Sequence, residues 1–109
     1  MPARHELPEI DAAALTAARA IDALLAHAAR TSGSGDAATE RWAGYFERLP
    51  DQIRDEPVSQ LRILARRARA AYGPKDSIRD VFPPDVTEPL LDALDRLIKA
   101  IGRYEAHRG

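Results

Sequence analysis

Three histidines, an acidic run and a stripe of arginines are the side chains here whose types could do chemistry. His5, His27 and His107 stand far apart, and no His-x-x-x-His or Glu-x-x-His pair occurs. A metal needs ligands at converging positions. The spacing therefore predicts solvated histidines, with His5 and His107 in frayed ends and His27 off the inward stripe of its helix. Glu47, Asp51, Asp55 and Glu56 form an acidic cluster. Carboxylates in a helical bundle can hold a metal pair when they project inward beside Glu-x-x-His motifs. The inward positions here are Ala, Leu, Ile and aromatics, so the cluster reads as a solvated face or a docking surface for a basic partner. Ser32, Ser34, Ser59 and Ser77 have no base at a catalytic spacing, and Gly-x-Ser-x-Gly is absent. The glycines of 31–35 lack the lysine and the preceding strand of a phosphate loop. Arg62, Arg66, Arg67 and Arg69 could touch phosphates, but neither helix-turn-helix spacing nor a row of aromatics accompanies them. Salt bridges from these arginines to the acids of the second helix are the favoured expectation. The reading is of no enzyme, with no catalytic, metal or cofactor residues.

The chain that must position these groups has 109 residues, enough for one domain with one modest core. Hydrophobic residues make up 45% and charged residues 30%, which argues against wholesale disorder. A formal net charge of -1 supplies no general attraction to nucleic acid or to an anionic membrane. With no cysteine, disulfides and thiolate metal sites are excluded. No uninterrupted apolar run approaches the ~18 residues of a membrane span. Residues 1–8 carry no signal-type apolar core, and the expected location is the cytoplasm.

Periodicity predicts an all-α four-helix bundle, with residues 1–7 as a frayed N-terminus and a longer loop between helices three and four. Helix one should span 8–30, its stripe being Ile10, Ala14, Ala17, Ile21, Leu24 and Ala28. A Gly/Ser loop follows at 31–35. Helix two should start after Asp36, an N-cap residue, and reach about Leu49, with Trp42, Phe46, Leu49 and Ile53 in one apolar stripe and Trp42 and Phe46 anchoring the core. Pro50 either kinks or ends it. Helix three should run from Pro57 to Tyr72 on Val58, Leu61, Ala65, Ala68 and Tyr72. Ile63 falls opposite that stripe, which implies a second cover or a partner patch. Helix four should begin near Thr87, with Leu90, Leu94, Leu97, Ile101 and Tyr104 inward and Gly102 as a weak point.

The loop between the last two helices is the segment that helix packing explains least. Ser77 can cap a short turn over 77–80, Asp80 can pair with a nearby arginine, and Val81 and Phe82 should plug the loop onto the core. The loop resembles a segment in a family of small bacterial helical domains of immunity-protein type. That segment carries an aromatic residue, then Gly-Gly-Met-Gly-Ser, an apolar residue, Asn and Asp. Tyr72, Gly73, Ser77, Ile78 and Asp80 agree with it, Trp42 fits an upstream tryptophan, and Pro74, Lys75, Asp76 and Arg79 depart. The departures remove two glycines, the residues that take positive φ at least cost. The resemblance implies a protein-binding domain that neutralises a toxin by occluding its active site. The contact residues expected are Glu47, Asp51, Asp55, Lys75, Asp76, Arg79 and Asp80. For the loop the alternative is a connector that seals the bundle end; for the protein the alternatives are a homo-oligomeric scaffolding bundle using the Ile63 side of helix three, or a small nucleic-acid-binding regulator using the helix-three arginines.

Overall fold

The computed structural model describes residues 3–31, 37–74 and 77–108. Residues 32–35 of the first loop, the Asp36 cap, Lys75, Asp76 and the side chain of His107 lie outside that description. The described chain is all-helical: α1 Pro8–Thr31, α2 Ala37–Phe46, α3 Leu49–Asp55, α4 Val58–Arg69 and α5 Pro84–Arg108, with no strand among the described residues.

α1 starts with Pro8 in its first turn and Glu9 and Asp11 at its positive end. Its expected stripe is buried in full, and Ala18 joins it. By length and composition alone α1 could cross a membrane. Here α3 and α5 cover its apolar stripe, as they would a core helix. The many alanines bring α5 close along most of its length.

The second limb is two helices rather than one. A proline ring clashes with the carbonyl four residues earlier, and for Pro50 that residue is Phe46, where α2 ends. Pro50 then sits in the first turn of α3, where its missing N–H has no intrahelical partner to lose. Phe46, Leu49 and Ile53 stay buried across the break, so the apolar register survives it.

α4 follows Pro57, and its inward face gains Leu64 beside the expected residues. A 3-10 turn over Ala70–Tyr72 tightens its end. Gly73 is extended, with φ -64 and ψ 169. Pro74 favours that conformation in the residue before it, so this loop needs no left-handed glycine at 73. α5 begins at Pro84, three residues before the expected Thr87. Pro84 suits a first helical position, and the Pro83 carbonyl accepts the N–H groups of Val86 and Thr87.

Cross-helix pairs give the directions. Glu9 meets Arg103, Arg62 meets Glu105 at 3.0 Å and Arg69 meets Asp95 at 3.2 Å. α1 and α4 therefore run one way and α5 the other. The end of α3 lies against α1, where Arg54 reaches Asp22 and Arg4 holds the last carbonyls. Arg62 and Arg69 thus pair with acids of α5, not with those of the second limb as expected, because α5 lies on their flank. Residues 4–6, expected to fray, form a 3-10 turn.

Gly44 and Gly102 sit inside α2 and α5, and a Cβ at either would meet nothing within 4 Å. Each Gly→Ala change should raise stability by about 0.5–1 kcal/mol, read as a higher urea midpoint.

Candidate protein-binding surfaces

The loop end of the molecule is built from the turn Ile78–Asp80. Ser77 Oγ accepts the Arg79 N–H at 3.0 Å, and the Asp80 carboxylate accepts the Ser77 N–H at 3.2 Å. The two complete a capping box, so Asp80 is used locally and not in an arginine pair. Arg79 donates Nε and Nη2 to Glu88 at 3.1 and 3.0 Å, and its guanidinium lies 5.5 Å from the Tyr72 ring centroid. Arg69 stands 5.6 Å from the same ring. The Arg79 hydrogen bond holds the Glu88 carboxyl below its ordinary value and raises Arg79 in turn. Phe82 is buried, with its ring 5.7 Å from that of the half-buried His27, which the sequence had left in solvent.

The Tyr72 hydroxyl donates to the Thr87 carbonyl. Burial, and then the Glu88 charge, push its pKa up. In the unfolded chain that group titrates near 10. Its linked stability is therefore complete below pH ~10 and is lost as pH rises past that value. Tyr72→Phe should cost about 1–2 kcal/mol at neutral pH and flatten the stability loss above pH ~10, measured by urea unfolding across pH.

The acidic residues lie elsewhere. Asp51 and Asp55 are exposed one turn apart on α3, and Glu47 is exposed in the break before it. Arg54, between them, pairs with Asp22 of α1 and stands 3.8 Å from Asp51. These acids and the 77–82 loop meet α1 through different residues. The end of α3 is held by Arg4, which also binds Asp11, whereas Phe82 meets His27. Asp11 and His27 are sixteen residues apart on α1, with Asp22, the partner of Arg54, between them.

A third surface was only half visible in the sequence. Tyr45 and Ile63, 40% and 54% exposed, are the two large exposed hydrophobics of the described chain. The Tyr45 hydroxyl donates to the carbonyl of Arg67, which ties α2 to α4 four residues beyond Ile63. Ile63 stood out by its place opposite the stripe. Tyr45 is next to Phe46 in sequence, and its exposure depends on where α4 lies, which periodicity does not show. The Tyr45 ring packs edge-on to Trp42 and Phe46 at 5.3 and 5.2 Å.

A shallow groove of about 320 Å³ between α1 and α5 is floored by alanines and rimmed by Arg96, Lys99 and Arg103. Arg96 is paired with Asp92 and Arg103 with Glu9. Among the described residues no three His, Asp or Glu side chains gather as a metal group. No protein-family model matches the chain, nor does any curated protein or solved structure.

Proposed function

We propose that this chain is a non-enzymatic protein-binding domain. Its frame reads as a four-helix bundle, with α2 and α3 as one broken limb and a longer loop before α5. The observation that carries the proposal is the exposure of Tyr45 and Ile63 on two helices that the Tyr45–Arg67 hydrogen bond links. Apolar side chains kept in solvent on a rigid flank suit a partner that removes them from water. The described ionisable groups of the loop, Arg79 and Asp80, are engaged in an ion pair and a cap, an arrangement that favours a structural role there. Affinity capture from the source cells tests the reading. Wild type should retain a partner that Ile63→Asp and Tyr45→Ser release while remaining helical; retention by both variants would refute it.

The narrower form is a bacterial, cytoplasmic inhibitor that occludes a toxin's active site. The outward placement of Asp51 and Asp55 favours it, since these acids and Glu47 would face a basic partner. Charge reversal at Asp51 and Asp55 should then weaken capture, and unchanged capture would remove that face. Ile63 also supports a second reading, a homo-oligomer. Light scattering that shows a monomer at every concentration would eliminate it.

A further inference from the structure

We infer that the flank shared by α2 and α4 binds an acidic amphipathic helix of a partner protein. The inference rests on the protein-binding reading and adds the chemistry of the ligand. Tyr45 and Ile63 form the apolar centre. Arg41 lies one turn before Tyr45 on α2, on the same side, and Arg48 is the exposed cap of α3 just past the break. Arg66 and Arg67 follow Ile63 by three and four residues on α4. All four arginines are exposed. Their pairing differs from that of Arg62 and Arg69, which are matched by Glu105 and Asp95. No such ion pair is formed by Arg41, Arg48, Arg66 or Arg67 among the described residues. α4 itself contains no acidic residue. Glu40 projects about 140° round α2 from Tyr45, away from this flank.

Two apolar side chains within a ring of cations need a ligand with aliphatic groups at its centre and carboxylates at its rim. A helix with apolar residues three and four apart presents that pattern. The described chain has no strand edge on which an extended segment could add. A nucleic acid fits less well. Tyr45 packs edge-on to its neighbours, with its hydroxyl held by Arg67, and a lone aromatic makes no stacking row. α2 is the adaptable element. It is 10 residues long and packs mainly on α1, and the Trp42 indole N–H is buried with no acceptor among the described residues. Trp42 is also the one tryptophan of the chain, so its emission reports on this flank.

The test uses the full chain and a synthetic helical peptide of alternating Leu and Glu faces. A scrambled peptide of the same composition and a thymidine oligonucleotide serve as rivals. Backbone NMR shifts and Trp42 emission are followed together. The expected result is saturable binding with shifts confined to 41–48 and 60–70. Ile63→Asp, and the pair Arg66→Glu with Arg67→Glu, should each weaken it roughly tenfold or more, with helicity by circular dichroism unchanged. Equal binding of the scramble, shifts elsewhere, or tighter oligonucleotide binding at the same residues would overturn the assignment. If the peptide ignores this flank while Ile63→Asp still releases the captured partner, the acidic-helix assignment fails alone. If capture is also unaffected, the protein-binding reading fails with it.

Discussion

Arg4→Ala should be among the most destabilising single changes outside the apolar core, lowering stability by about 2–4 kcal/mol and the melting temperature by on the order of 10 °C. The Arg4 side chain is only 12% exposed. Its Nη1 donates to the carbonyls of Ile53, Arg54 and Glu56, the last two at 2.8 and 3.0 Å. Those carbonyls belong to the end of α3, where no helical N–H remains to satisfy them. A cation there also suits the negative end of the helix. Nε and Nη2 meet Asp11 of α1 at 3.0 and 2.9 Å, so one guanidinium ties the N-terminal segment to two helices. Alanine would leave three carbonyls and a carboxylate without it. Lysine should recover only part of the loss, because an ammonium cannot present the same fork. Thermal and urea unfolding of the two variants measure this. A change below ~1 kcal/mol for alanine would mean that water replaces the clamp at little cost.

Phe82→Ala should cost about 3–4 kcal/mol, the usual range for emptying a buried aromatic site. Phe82 is 3% exposed and closes the loop against His27 and the core. Phe82→Leu keeps most of the volume and should cost under ~1.5 kcal/mol. Arg79→Ala, at an exposed ion pair, should cost under ~1 kcal/mol. That ordering, measured by urea unfolding, separates a loop that seals the fold from one reserved for a partner. A small Phe82 effect beside a large Arg79 effect would reverse it.

These two sites show what sequence reasoning reaches. Phe82 was legible: an apolar pair before two prolines has to go somewhere, and the core is the place with room. The Ser77 cap was legible because its partners lie two and three residues away. The α1 stripe was legible because one period governs all of it. Arg4 was not. Its partners are main-chain carbonyls about fifty residues on, and a carbonyl has no sequence signature. The break at Phe46 was half legible, since Pro50 announces a disturbance while the clash four residues back decides its place. The flank of Tyr45 depended on the neighbour across from α2. Arg62 and Arg69 likewise showed their spacing but not that α5 would supply their acids.

The central claim is that the α2 and α4 flank recognises a partner and does not merely finish the fold. α2 is short and is covered mainly by α1, so its amides should exchange early in the free protein. Hydrogen exchange of the captured complex against the free chain tests the claim most directly. The account predicts slowed exchange over 37–48 and 59–70, with α1 and α5 little changed. Protection confined to α1 and α5, or to the 77–82 loop, would contradict it.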